Sequence, residues 1–136
     1  MLTVIYKKPI KSGERLALNQ VKYEPIVEIY PSDSKNLYTL LMTDPDAPYP
    51  ENPTYADYLH WLVVNIGNDT GNIKTPYTPP NPPKDSLPHR YIFEVYKQQG
   101  PMPKSRIDSG SRFDKKAFIK SNGLKLLDRV CFLAGR

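Results

Sequence analysis

The sequence LYTLLM at residues 37–42, together with WLVVNI at residues 61–66, is apolar at nearly every position. A β-strand presents alternate side chains to opposite faces of its sheet, so both faces of each stretch are largely apolar. Strands of this kind are stable where both faces are covered, as within a β-sandwich. The two stretches therefore predict central strands of a mainly β protein.

Four shorter apolar segments surround this pair, at 2–6, 26–30, 91–96 and 130–133. Turn-rich stretches separate them, a rhythm typical of an antiparallel β protein. One short helix is predicted between Asp114, which can cap its first turn, and Gly123, which is placed to end it. The length of 136 residues and the lack of an internal repeat predict a single domain, 1–136.

Composition limits the class of protein. The hydrophobic fraction of 39% and the charged fraction of 24% are near globular values, which argues against a disordered chain or an integral membrane protein. The N-terminus lacks the features of a signal peptide, and the single cysteine, Cys131, lies in an apolar run where burial is expected. A cytoplasmic, reducing location is therefore predicted. The net charge of +5 is spread along the chain, which favours mild attraction of anions over a nucleic-acid site.

Two proline-rich loops lie beside the predicted strands, at residues 44–53 and 75–84. Proline rings restrict the backbone and lower the entropy cost of holding one loop shape. Such loops can form the walls of a preorganised pocket. They can equally be well-anchored connectors, so the prolines alone do not decide between the two roles.

The two histidines of the chain lie near these loops. His60 precedes the second central stretch, and His89 begins a strand in which Tyr91 projects from the same face. The imidazoles and the phenol can supply hydrogen-bond donors to an anion. Asp44 and Asp46 follow the first central strand, and either carboxylate could accept an imidazole N–H and fix its tautomer. The pattern suits a phosphate-like anion, although such residues alone are also common as structural groups.

The segment TDPDAP at 43–48, followed by His60 and by LVVN at 62–65, resembles the first signature of the phosphatidylethanolamine-binding protein family. This family is also called the Raf kinase inhibitor protein family, and HRY at 89–91 matches its second signature. The resemblance covers most of the chain. It implies a PEBP-like antiparallel β-sandwich with one short helix, and a small pocket for phosphate, phosphorylated groups, phosphoethanolamine or a phospholipid headgroup. Seven positions match the family's pocket residues: Asp44, Asp46, Pro48, His60, Pro82, His89 and Tyr91.

Three positions refine what the resemblance implies. Arg90 matches a family position that supports the loops, and we expect it to pair with a carboxylate such as Asp46. The family usually carries glycine two residues before the second histidine, where this chain has Leu87 followed by Pro88. Familiar eukaryotic members also continue into a C-terminal helix that flanks the pocket, whereas this sequence ends at Arg136. The last two departures predict a pocket of altered width and a more open mouth.

Non-catalytic binding of a small anion is the predicted function. The alternative is a regulatory interaction protein that inhibits a kinase or a protease, with the pocket as its docking site. A metal site built from two histidines and a carboxylate is disfavoured, because His60 and His89 are far apart and no short histidine motif is present. We therefore expect neither a metal nor another cofactor.

A hydrolase that uses Asp44 and His60 as acid and base would also need an activated nucleophile. Cys131 lies in a predicted core strand, and Ser86 and Ser109 belong to no known catalytic motif. The sequence therefore predicts that the chain is not an enzyme.

Overall fold

The computed structural model describes residues 1–30, 35–67 and 71–136. Its strands are β1 (Leu2–Ile5), β2 (Glu14–Arg15), β3 (Ile26–Ile29), β4 (Tyr38–Asp44), β5 (Tyr58–Ile66), β6 (Asn72–Thr75), β7 (His89–Lys97) and β8 (Lys125–Ala134). One α-helix, α1 (Lys115–Ser121), and a short 3-10 helix, Leu18–Gln20, complete the regular structure. Within these ranges no helix has the length and apolar character of a membrane-spanning segment. The prediction of a mainly β protein is confirmed.

The strands form two sheets. Six of them lie in the order β2-β8-β7-β4-β5-β6, and β1 pairs with β3 in a small separate sheet. The pairings are antiparallel with one exception, the short parallel contact of β2 with β8, where Glu14 lies beside Phe132. The two central stretches predicted from the sequence are β4 and β5, each with a neighbouring strand on both sides.

Both faces of the large sheet are covered, and β4 is therefore buried along its whole length. Met42 projects to one face and belongs to the same apolar cluster as Val4 of the small sheet. Leu41 projects to the other face, where it packs with Met102 and Phe118. Burying one such side chain contributes about 1.5–3 kcal/mol. The second face is covered by α1 and by the irregular segment that precedes it, which contributes Met102.

The helix agrees closely with its prediction. The Asp114 side chain accepts a hydrogen bond of 3.0 Å from the Ala117 backbone N–H, which caps the first turn. Gly123 has a φ of 57° just beyond the last turn, a conformation that glycine adopts without steric cost. A Cβ at this position would also lie 2.7 Å from the Gln99 amide. Two independent constraints therefore favour glycine where the helix ends.

Strand β8 differs from its prediction. It begins at Lys125, five residues before the apolar run that indicated it. Its buried side chains near the end are those of Phe132 and Ala134, while Cys131 faces the other way and is half-buried. The prediction that Cys131 is buried is wrong, because strand alternation turns it away from the core.

The single tryptophan links the core to the second proline-rich loop. Trp61 is 6% exposed and makes edge-to-face contacts with Tyr77, at 5.4 Å between ring centroids, and with Phe93, at 6.5 Å. The Tyr77 hydroxyl donates to the Val21 carbonyl at 2.7 Å. The loop 75–84 is thus fixed to the rest of the molecule by an aromatic anchor.

Candidate functional site

Three neighbouring strands end or begin at one cavity. Asp44, the last residue of β4, lies beside Tyr58, the first residue of β5, and β7 begins at His89. Because β4 runs antiparallel to both neighbours, its end lies next to their starts. The cavity has a volume of about 270 Å³. It is lined by Asp44, Ala47, Pro48, Tyr55, Tyr58, His60, Thr78, Pro79, Asn81, Pro82, Pro83 and His89.

His89 is held by Asp44. Its Nδ1 lies 2.7 Å from Asp44 Oδ2, and both side chains are almost completely buried. The other carboxylate oxygen of Asp44 accepts a 2.7 Å hydrogen bond from the Asp46 backbone N–H. Burial raises the pKa of Asp44, and the hydrogen bond from His89 acts in the opposite direction. The carboxylate therefore fixes the tautomer of His89 with a hydrogen on Nδ1, as expected from the sequence.

The second nitrogen of His89 meets a serine. Nε2 lies 2.8 Å from Ser86 Oγ, and Ser86 Oγ can also donate to the Leu87 carbonyl at 2.7 Å. When the hydroxyl donates to the Leu87 carbonyl, its oxygen can accept a hydrogen bond from His89 Nε2. When the hydroxyl donates to His89, Nε2 is the acceptor. The segment before His89, where Leu87 and Pro88 depart from the family pattern, therefore places a hydroxyl against the imidazole.

His60 has a different hydrogen-bond partner from His89. Its Nδ1 lies 2.6 Å from the Thr78 carbonyl oxygen, and a carbonyl only accepts, so Nδ1 carries the hydrogen. The Thr78 N–H donates in return to the His60 carbonyl at 2.7 Å. Burial lowers the pKa of His60, which favours the neutral ring with a bare Nε2. His60 is also the third residue of β5, inside the strand rather than before it.

Asp46 supports the site from behind. Its carboxylate accepts from Arg90 Nε at 3.0 Å, from Arg90 Nη2 at 2.9 Å and from the Arg90 backbone N–H at 2.7 Å. Burial raises the pKa of Asp46, but the hydrogen bonds and charge of Arg90 outweigh it and lower the pKa overall. The predicted pairing of Arg90 with Asp46 is confirmed. Asp46 does not line the cavity.

Tyr91 is also behind the cavity wall. Its ring is fully buried and stacked against Phe132, at 5.3 Å between centroids, with the His89 ring at 6.2 Å. Its hydroxyl makes no hydrogen bond within the described chain. Burial, followed by the negative charge of Asp44, raises the pKa of Tyr91, so the phenol keeps its proton. His89 and Tyr91 share a face of β7 as predicted, but Tyr91 does not reach the cavity surface.

Five of the seven predicted site residues therefore line the cavity, and the structure adds others. Tyr58 precedes His60 by two residues, so strand alternation could have indicated it. Tyr55 is 49% exposed at the cavity. Arg136 donates from Nε to the Pro82 carbonyl at 2.9 Å and from Nη2 to Asn81 Oδ1 at 2.5 Å. No feature of the sequence predicted these contacts of Arg136, which hold the second proline-rich loop in place.

The acid, histidine and cysteine side chains of the described ranges form no cluster of three or more that could hold a metal ion. In the cavity itself, Asp44 is bonded to His89, and His60 is bonded through Nδ1 to a backbone carbonyl. The polar groups of the cavity can donate hydrogen bonds to a small polar ligand or accept hydrogen bonds from it.

Comparison with known proteins identifies the family. The family model described as phosphatidylethanolamine-binding protein matches residues 7–128. The chain is 42% identical over 97 residues to Protein TWIN SISTER of FT from Arabidopsis thaliana, which covers 68% of this chain and 54% of that protein. It is 34% identical over 129 residues to CEN-like protein 1 from Nicotiana tabacum, which covers 90% of this chain and 73% of that protein. The chain thus spans little more than half the length of the first of these relatives.

The fold has close counterparts among solved structures. The carboxypeptidase Y inhibitor, solved in complex with its cognate proteinase, superposes with a TM-score of 0.85 at 27% identity. The superposition covers 98% of this chain and 82% of the inhibitor. Together with the family model, which matches most of the sequence, these similarities confirm the resemblance seen in the two signatures. This chain belongs to the phosphatidylethanolamine-binding protein family.

Proposed function

We propose that this chain binds a small anionic group, a phosphate or a phosphorylated headgroup, in the cavity beside His89. One observation carries the proposal: a buried imidazole is oriented by Asp44 and presents its Nε2 to an oxygen atom, that of Ser86. An oxygen of a bound anion would take the same position and accept from His89. The proposed role is binding, without turnover of the ligand.

The surroundings support a small ligand. The volume of about 270 Å³ is at the small end for ligand sites. Pro48 and Pro82 form rigid walls, which lowers the entropy cost of binding. Asp46 and Tyr91 do not line the cavity but hold neighbouring residues in place, Asp46 by pairing with Arg90 and Tyr91 by stacking with His89. The net charge of +5 favours the approach of an anion, and a phospholipid headgroup or a free phosphorylated molecule could supply the anionic group.

We also propose a cytoplasmic location, because the single cysteine cannot form an internal disulfide.

An NMR titration tests the proposal directly. The protein has two histidines, so the imidazole signals of wild type and of His89→Ala are assigned by comparison. Phosphate or phosphoethanolamine at millimolar concentration should shift the NMR signals of both imidazoles until the site is saturated. In His89→Ala the His60 signals should no longer shift with added ligand. Lys125→Ala is the control for general charge attraction, since Lys125 lies at the opposite end of β8 from the residue that pairs with His89. Unchanged shifts in wild type would overturn the proposal.

A second candidate is regulation of a protease or a kinase. The similarity to a carboxypeptidase Y inhibitor bound to its proteinase favours a protease. Inhibition of carboxypeptidase Y by wild type, with loss of inhibition in His89→Ala but not in Lys125→Ala, would support docking through the cavity. Equal inhibition by all three proteins would place the interface elsewhere. No inhibition by wild type would remove this protease as a partner.

A further inference from the structure

Three side chains form a continuous series of hydrogen bonds, which begins at Ser86 beside the cavity and continues through His89 and Asp44 in its wall. Ser86 Oγ lies 2.8 Å from His89 Nε2, and His89 Nδ1 lies 2.7 Å from Asp44 Oδ2. A hydroxyl bonded to an imidazole, whose other nitrogen is held by a buried carboxylate, is the arrangement that activates serine in acyl-transfer enzymes. Such a triad is recognised by geometry, not by sequence order or motif.

We propose that Ser86 is an activated nucleophile that is acylated by reactive esters approaching its half-buried hydroxyl beside the cavity, an activity separate from anion binding. Ser86 Oγ attacks the ester carbonyl, and its proton passes to His89 Nε2. The bond between the carbonyl carbon and the leaving oxygen then breaks, and the leaving alcohol takes the proton from His89. Water, with His89 as base, hydrolyses the acyl-serine and restores the Ser86 hydroxyl. Asp44 positions His89 and stabilises its charged form.

The backbone around Ser86 supports this assignment. The Ser86 N–H donates to the Pro83 carbonyl at 3.1 Å, and Pro88 fixes the chain two residues later. Both restraints hold Ser86 against His89. The Leu87 N–H makes no backbone hydrogen bond within the described ranges, so it is available to the developing oxyanion. In several serine hydrolases the residue after the nucleophile supplies this donor.

The sequence allows a covalent label on Ser86 to be located by peptide mapping. Trypsin cleaves after Lys84 and after Arg90, and the released peptide DSLPHR, residues 85–90, contains one serine, Ser86. A fluorophosphonate probe reacts with activated serines by the same attack, with fluoride as the leaving group and the phosphonyl group retained on Oγ. Wild-type protein should gain one probe mass, located by mass spectrometry on this peptide. Ser111→Ala removes an exposed serine and should label like wild type.

The variants separate activation from simple exposure. Ser86→Ala should lose the label, and His89→Asn should label about a hundredfold more slowly, since a general base contributes roughly 10²–10⁴ to rate. Asp44→Asn should slow labelling and change its pH profile, which a purely structural role would leave unaltered. Two-dimensional NMR spectra establish that each variant is folded. Wild-type protein that remains unlabelled, or that labels only on other peptides, would overturn the proposal, as would equal rates in wild type and His89→Asn.

Discussion

Two imidazoles that look alike in the sequence have different hydrogen-bonding partners. His89 contacts a carboxylate through Nδ1 and a hydroxyl through Nε2. His60 contacts a backbone carbonyl through Nδ1, and burial lowers its pKa. His89 can therefore exchange a hydrogen bond at Nε2 with an oxygen atom, whereas neutral His60 is suited to accept from a ligand O–H or N–H. The partner atoms, Asp44 and Thr78, determine this division of roles.

Replacing Ser86 by alanine should strengthen phosphate binding. The Ser86 hydroxyl occupies the His89 Nε2 position that an anion would use, so the ligand must displace it. Removing one competing hydrogen bond is worth about 1 kcal/mol, or roughly a fivefold lower Kd. Calorimetric titration of wild type, Ser86→Ala and the exposed control Ser111→Ala measures this effect. A weaker Kd in Ser86→Ala alone would show that the hydroxyl itself contacts the ligand.

At the scale of elements, α1 is attached to the large sheet through Glu94 of β7. Glu94 is 1% exposed, with Lys115 Nζ at 2.5 Å from Oε1 and Arg129 Nη2 at 2.5 Å from Oε2. Burial raises the pKa of Glu94, but the two cations together outweigh burial and lower it. One carboxylate thus joins β7, β8 and the helix.

Glu94→Gln should destabilise the protein by about 3 kcal/mol, because it leaves two cations beside a neutral amide in a buried position. The value is at the low end for a buried pair because the Arg129 side chain is 54% exposed. Urea denaturation gives the free energy of unfolding. Asp108→Asn is the matched control, since the Arg106–Asp108 pair is exposed and 4.0 Å long. Equal midpoints for the two variants would contradict this account.

Elements set by local sequence could be predicted, and those set by distant pairing could not. Strands β4 and β5 and the helix cap at Asp114 could be predicted because each depends on residues that are neighbours in the sequence. Strand β6, NIKT at 72–75, has too little apolar character to be recognised, and its place is set by pairing with β5. The two-residue β2 exists only through its contact with β8.

The same distinction applies to the site. The cavity positions Asp44, His60 and His89 followed from two signatures. The contact of Thr78 with His60 could not be predicted, because it depends on the path of the loop 75–84 across β5. The contact of Ser86 with His89 depends in the same way on the path of the segment before β7.

For the whole molecule, stability should fall as pH decreases, in two windows. Burial lowers the pKa of His60, so below the unfolded value of about 6.5 the unfolded chain binds more protons and stability declines. The carboxyls of Asp46 and Glu94 have lowered pKa values. Their contribution is present above the unfolded value of about 4 and is lost as pH falls through the folded pKa. The raised pKa of Asp44 acts in the opposite direction.

Urea denaturation of wild type and His60→Asn across this range isolates the histidine. Asparagine can keep a donor near the Thr78 carbonyl while it removes the titrating ring. The free energy of unfolding of wild type should decline relative to that of His60→Asn as pH falls from about 7 to about 5. Parallel curves for the two proteins would contradict the assignment to His60. The decline below about pH 4 should remain in both.

The single Trp61 gives this protein an intrinsic fluorophore next to its candidate site. It follows His60 in β5, and its ring contacts Tyr77 of the loop whose prolines line the cavity. Displacement of that loop by an incoming molecule would alter the environment of the indole and hence its emission. Unfolding would expose the same indole to water and shift the emission to longer wavelength. Ligand occupancy and global unfolding can therefore be followed optically without an introduced dye.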